Sequence, residues 1–360
     1  MAITDVNAAE SDGSHPSFWI ELGGQLERIS AGQELLAPPF LTKTPVPAPF
    51  NPVSPIDAQK PPKYGFGGEA KIVFQPERTN WSFSAAVRYG RSNGDKLVHK
   101  QTHIQHAPKY IPGFPDLHPT TGTLANFAET KAENRESHVV VDFQAGKDVG
   151  LGLFGGGTST MRLGVRFAQF TSKSDLSIYA RPDLRFYNQY TLPKYVPKAI
   201  FHAYTAFAHE ARSFHGLGPS LSWDASAPVL GSSDATELVA DWGINAALLF
   251  GRQKADVHHQ TTARYFRELL YSHVQSDALV VTHYNKLYSP SVDRIRTHSV
   301  IVPNLGGFVG ASLKFPNARV SFGYRADFFF GAMDGGIDDR NAATVGFHGP
   351  FATISIGLGG

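Results

Sequence analysis

Residues 137–153 read Ser137-His138-Val139-Val140-Val141-Asp142-Phe143-Gln144-Ala145-Gly146-Lys147-Asp148-Val149-Gly150-Leu151-Gly152-Leu153. Val139, Val141, Phe143, Ala145, Val149, Leu151 and Leu153 share one parity, and Asp142, Gln144 and Asp148 take the other. Successive side chains of a strand point to opposite faces, so the segment is extended, with one face in an apolar medium and one in water. It is longer than the ~5–6 residues of an ordinary soluble strand, and it exceeds the ~9–11 that a tilted strand needs to cross a bilayer. Lys147 falls on the apolar parity, which predicts a bulge near Gly146 or an interface position.

The same two-residue period recurs on both sides of this stretch. Strands are expected over 17–29, 64–76, 81–95, 159–172, 199–213, 217–227, 236–250, 254–270, 304–315, 318–331 and 350–359. With 137–153 they number about twelve. Tight turns are expected near 77–80, 154–158, 214–216, 251–253 and 316–317, and long loops near 31–63, 96–135, 173–198, 228–235, 271–303 and 332–349. Short turns alternating with long loops are the habit of bacterial outer-membrane barrels, whose periplasmic turns are tight and whose extracellular loops are long. Nine prolines between Pro38 and Pro62 exclude a central strand there. The expected fold is all-β, a single transmembrane antiparallel up-and-down barrel over 17–360, preceded by a periplasmic tail at 1–16.

Composition agrees. Charged residues make up 18% of the 360, and 35 glycines accompany 24 prolines, a mixture suited to long strands joined by irregular loops. The mean hydropathy of -0.20 is compatible with a barrel, whose polar lumen cancels its apolar wall. No run of 18 apolar residues offers a helical span, and the net charge of +2 argues for no nucleic acid partner. Without cysteine there is no disulfide, thiolate metal site or cysteine nucleophile. Met1-Ala2-Ile3-Thr4-Asp5 has neither a basic nor an apolar run, so the numbering is expected to be that of a mature or trimmed form. Aromatic girdles are expected at Phe18, Trp19, Phe74, Trp81, Phe250 and Phe315 below, and at Tyr89, Phe201, Tyr265, Phe328 and Phe351 above.

The parity opposite the apolar face supplies the candidate pore lining: Lys71, Arg88, Asp142, Arg162, Arg166, Glu210, Arg212, Asp224, Asp241, Arg325 and Asp327, with Arg252, Lys254 and Arg264 read the same way. Opposed charges of this kind set selectivity in a water-filled channel, and a mutually paired plug would use the same residues. Arginines near the third, fifth and eleventh expected strands weakly favour anionic solutes. His258 and His259 are adjacent in a strand and face opposite ways, so they cannot share a metal, and no metal or cofactor is expected. There is no Gly-x-Ser-x-Gly elbow and no HExxH helix, so the chain is read as no enzyme. Gly155-Gly156-Gly157 leads into a strand and is read as a turn, not a phosphate cradle.

Val141-Asp142-Phe143-Gln144-Ala145-Gly146-Lys147-Asp148-Val149-Gly150-Leu151-Gly152, Gly164-Val165-Arg166-Phe167-Ala168, Gly323-Tyr324-Arg325-Ala326-Asp327-Phe328-Phe329-Phe330-Gly331-Ala332 and His348-Gly349-Pro350-Phe351 together resemble the Legionella-type major outer membrane protein family of Gram-negative bacteria. The resemblance covers roughly 137 to the end and implies a porin-like or surface-exposed role, with no catalytic residues. Such barrels usually end in an aromatic residue, whereas this chain ends Ile356-Gly357-Leu358-Gly359-Gly360. The expected function is a porin-like channel for small hydrophilic solutes in the bacterial outer membrane. The alternative is a non-conducting structural or adhesive barrel that binds through its loops. The partners implied are outer-membrane lipid, lipopolysaccharide and small hydrophilic solutes.

Overall fold

The computed structural model describes residues 17–31, 64–77, 79–94, 97–106, 123–150, 157–181, 184–185, 198–231, 236–269, 280–286, 294–336 and 339–358. The expected tail at 1–16 lies outside them. They form thirteen strands: β1 Ser17–Ala31, β2 Gly65–Gln75, β3 Trp81–Asn93, β4 Leu97–His106, β5 Thr123–Asp148, β6 Thr158–Arg181, β7 Leu184–Arg185, β8 Lys198–Gly231, β9 Glu237–Leu269, β10 Val280–Lys286, β11 Arg294–Lys314, β12 Ala318–Asp334 and β13 Ala342–Leu358. All pairings are antiparallel, and β1 pairs with β13, which closes the sheet. β4 continues the line of β3 along β5, and β10 precedes β11 along β9. Ten strands therefore make the closed wall: β1, β2, β3, β5, β6, β8, β9, β11, β12 and β13.

The register fixes the barrel's geometry. Phe18 opposes Phe74, and the line continues through Phe83, Ala145, Leu163, Leu221, Ala246, Leu305, Phe328 and Gly346 to Ser30. One circuit climbs from residue 18 to residue 30 of β1, a stagger of twelve residues. Ten strands with that stagger tilt by about 40° and enclose a backbone cylinder of about 10 Å radius.

Leu22, Ile72, Phe83, Phe143, Leu163, Leu221, Ile244, Leu305, Phe322 and Ile354 are all exposed on the outer wall. A ring of bare aliphatic and aromatic side chains around a cylinder without edges is the surface that hydrocarbon accepts, because every backbone polar group is paired within the sheet. On β9 the apolar run Ile244, Leu248 and Phe250 gives way to exposed Arg252 and Lys254, which marks the upper limit of the belt. The fold is thus the expected transmembrane barrel, with the connections 76–80, 149–157, 232–236 and 315–317 at one end and longer ones at the other, except that β12 and β13 are joined there by 335–341 alone where a long loop over 332–349 was expected.

The strand number is ten where about twelve were expected, and the difference has one cause. Residues 214–216 and 251–253 are strand interior, not turns, so 199–213 joins 217–227 in β8 and 236–250 joins 254–270 in β9. Parity runs unbroken through both. Glu210, Arg212, Phe214, Ser220 and Ser222 are buried while Phe207, Leu217 and Leu221 are exposed. Gly216 and Gly251, which read as turn punctuation, are cross-strand partners, and the Phe214 ring lies over both, so a Cβ at either would meet it at 2.6 Å. The connection at 232–236, expected among the long loops, belongs to the short end. Arg252 and Lys254 face outward above the belt instead of lining the lumen, and Phe250 stands at the upper edge instead of the lower. Phe351 points inward, buried under Arg325.

Candidate functional site

Two-residue alternation sends one side chain in two into a cylinder only about 10 Å in radius, so its contents follow from which residues hold the inward parity at each height. The lower half carries polar residues. A cavity of about 340 Å³ is lined there by Glu21, Lys71, Gln144, Arg162, Asp224 and Asp241 among others, with Glu69, Arg88, Asp142, Arg166, Arg319 and Arg325 completing its charged wall. The arginines are held in pairs. Arg162 bonds Asp224, Arg319 bonds Asp241 and Arg325 bonds Glu69. Arg166 clasps Asp142 through two parallel bonds, Nε to Oδ1 at 2.7 Å and Nη2 to Oδ2 at 3.0 Å, and reaches Asn245 at 2.5 Å and Asn304. Arg88 Nη1 donates to Asp327 Oδ2 at 2.6 Å, where Asp327 is fully buried. The two-point clasp fixes both planes and is stronger than a neutral hydrogen bond.

Above this chamber the inward positions turn apolar. Phe170 of β6, Phe214 of β8, Phe329 of β12 and Phe347 of β13 meet in the lumen, joined by Ile29, Val140, Leu249, Val302, Met333 and Val345. Phe170 stands edge-on to Phe329 at 4.6 Å between ring centres and stacks on Phe214 at 5.7 Å, while Phe329 stacks on Phe347 at 5.6 Å. These separations and tilts are the favoured aromatic arrangements. Together these side chains make a dry septum across the barrel.

Glu27 of β1 and His138 of β5 sit at the septum's underside. Both are almost fully buried, and they reach one another across β2 and β3 because the intervening inward positions are glycines. A Cβ at Gly90 would overlap Glu27 Oε1 and His138 Cε1 together. Glu27 Oε1 and His138 Nδ1 lie 3.6 Å apart and neither has a hydrogen-bond partner. The His138 ring stacks on Phe347 at 4.1 Å, 6° from coplanar.

On the septum's outer side the end of β12, with Gly335 and Gly336 after it, folds over the lumen. Gly331, with φ 66°, turns the backbone so that Ala332 and Met333 enter the septum, a conformation that glycine adopts without strain. Gln253 Nε2 donates to the Gly331 carbonyl at 2.6 Å, Arg212 Nη2 to the Gly335 carbonyl at 2.8 Å, and Arg296 Nε to Asp334 Oδ2 at 2.8 Å. Asp334 lies beyond the apolar belt. Burial works to raise its pKa, but the Arg296 hydrogen bond and the backbone N–H groups of Asn341 and Gly336 outweigh it and hold the carboxyl below the usual range.

The candidate lining residues separate accordingly. Lys71, Arg88, Asp142, Arg162, Arg166, Asp224, Asp241 and Arg325 border the chamber, and Asp327 is buried behind Arg88. Glu210 and Arg212 lie above the septum, paired at 2.8 Å. Arg264 has its backbone in β9, paired with Ala203. Sequence reasoning missed the septum and the Glu27–His138 pair. A signal existed, since Phe170, Phe214 and Phe329 hold the same parity as Arg166, Arg212 and Asp327 on their strands. Among the described residues no cluster of three or more His, Asp or Glu could hold a metal.

No family model matches the chain, and no curated protein matches it either. Solved structures similar to it include a major outer membrane protein from Thermus thermophilus, at 10% identity and TM-score 0.29, covering 95% of this chain and 99% of that one. The transport unit of the autotransporter AIDA-I from Escherichia coli is similar at 8% identity and TM-score 0.27, over 98% and 93%. The toluene transporter TbuX from Ralstonia pickettii follows at 8% and 0.19, over 96% and 90%. Likeness at this level is too slight to argue from, and the fold stands on the chain's own strand pairing.

Proposed function

We propose that this chain is a gated, porin-like channel of the Gram-negative outer membrane, passing small hydrophilic solutes through the paired-charge chamber when the aromatic septum yields. Lipid and lipopolysaccharide would surround its apolar belt, and the resemblance to the Legionella-type major outer membrane proteins belongs to the same reading. The observation that carries it is the chamber itself. A barrel kept only for strength gains little from an uncovered cavity of about 340 Å³ walled by charges. Six acids, Glu21, Glu69, Asp142, Asp224, Asp241 and Asp327, face six cations, Lys71, Arg88, Arg162, Arg166, Arg319 and Arg325. That balance favours neutral and zwitterionic solutes over anions. Reconstitution in planar bilayers should give discrete openings with nearly equal cation and anion permeability. Silence from the wild type and from a variant with an emptied septum would end the proposal.

A second reading is favoured by the septum's continuity and by β5, β6, β8 and β9, which run well beyond the belt. On that reading the barrel conducts nothing and its projecting strands bind partners. Removing β4 and the upper part of β5 that pairs with it, residues 97–132, would then abolish surface attachment while the barrel still folds.

A further inference from the structure

We propose that Glu27 and His138 form a proton-operated latch on the septum, closed while the pair holds no shared proton and opened when acid supplies one. This inference rests on the channel reading above. His138 is held on two sides by different demands. Its face lies flat on Phe347, which continues the stack into Phe329 and Phe170. Its Nδ1 points to a carboxylate oxygen 3.6 Å away that no other group satisfies. Buried polar atoms are nearly always bonded, so two unpartnered ones facing each other across a glycine mark a place where the molecule tolerates a cost.

The surroundings limit the partners a proton could find. β3 brings Arg88 and β12 brings Asp327, already bonded to one another, and Arg88 stands 6.0 Å over the Phe347 ring. β2 offers only Gly65 and Gly67 at this height, β6 places Phe170 at the register position of His138, and β13 supplies Phe347. On its own strand, Glu136 lies two residues away and is buried. Glu27 is the carboxyl whose oxygen faces the ring nitrogen, 3.6 Å away.

A neutral imidazole is content as an aromatic plate in a dry layer. A lone imidazolium or carboxylate there is costly, so a proton supplied by acid belongs to the carboxyl–imidazole pair rather than to His138 alone. Shared between Glu27 Oε1 and His138 Nδ1, it shortens the gap from 3.6 Å to hydrogen-bond length, about 2.8 Å, and draws the ring toward β1 and off the Phe347 face. The stack from His138 to Phe170 loses its end plate, so water can enter the septum from the chamber.

Single-channel recording at about pH 7.5 and about pH 5 tests this, since a carboxyl buried beside an imidazole takes up its proton well above the free carboxyl range. Acid should raise wild-type open probability about tenfold, a population shift that a two-state gate can deliver. His138→Phe keeps the plate without the proton and should stay closed at both values. Glu27→Gln removes the acceptor and should lose the acid response, with folding of both variants checked by heat-modifiable electrophoretic mobility. The Phe170→Ala/Phe329→Ala variant separates the two proposals. If it is silent, the channel reading fails. If it conducts while the wild type ignores pH, or while His138→Phe keeps the wild-type acid response, the latch is overturned.

Discussion

Phe170→Ala removes the ring at the centre of the septum, and the cost follows from what that ring touches. Phe170 is 2% exposed and contacts Phe214, Phe329 and Phe347 with centres 5.7, 4.6 and 6.3 Å away. Each aromatic pair is worth about 0.5–1.5 kcal/mol beyond buried area. Emptying roughly 100 Å³ at about 24 cal/mol per Å³ adds about 2.4 kcal/mol for the hole, so the loss should reach at least the upper end of the ~3–5 kcal/mol typical of a buried Phe→Ala. The hole adjoins Arg88 and His138, whose polar atoms lie just below, so water can occupy it and a path between chamber and exterior opens. Urea titration in phospholipid vesicles, followed by the four tryptophans, reads the first effect, and single-channel current reads the second. An unfolding free energy lowered by less than about 1 kcal/mol, together with unchanged current, would refute the septum as a packed barrier.

Two further outcomes follow from the charged groups. Arg88→Gln strands the fully buried Asp327 and should cost about 3–5 kcal/mol, whereas Arg88→Met with Asp327→Leu should recover most of it, both read by the same titration. Asp334 has a folded pKa below its unfolded one, so its contribution to anchoring the turn is complete above the unfolded value and disappears as pH falls through the folded one. Hydrogen-exchange protection at Gly335 and Gly336, taken relative to the intrinsic rate at each pH, should therefore be lost only in strong acid, and Asp334→Asn should lower it across the whole pH range.

The barrel's class was legible because the alternation of β2, β3, β5 and β6 within the belt obeys one rule, apolar out and polar in. Above the belt that rule inverts. Ala255 and Val257 turn inward while Arg252 and Lys254 turn to water, as in any soluble fold. A reader who carries the membrane rule past Phe250 therefore assigns the wrong face and looks for a turn where the phase never changed. The charged residues of the chamber were legible as parity, yet their partnerships were not. Arg88 meets Asp327 across 239 positions of sequence. That meeting depends on the sum of many registers and the closing stagger, which no local pattern encodes. Glu27 and His138 escaped notice because what joins them is the absence of side chains at Gly67 and Gly90.

The described wall is not level at its outer end. β8 and β9 hold 34 and 33 residues, whereas β1, β2, β12 and β13 hold between 11 and 17. With roughly a third of the longer pair needed to cross the hydrocarbon, much of the remainder stands as a tall curved blade on one flank, several tens of ångströms at ~3.3 Å per residue. Among the described residues the cylinder is cut on a slant, low at β1, β2, β12 and β13 and high at β8 and β9. On the channel reading, the blade is a backstop for solutes that approach over β12 and β13, beside the turn that Asp334 ties down.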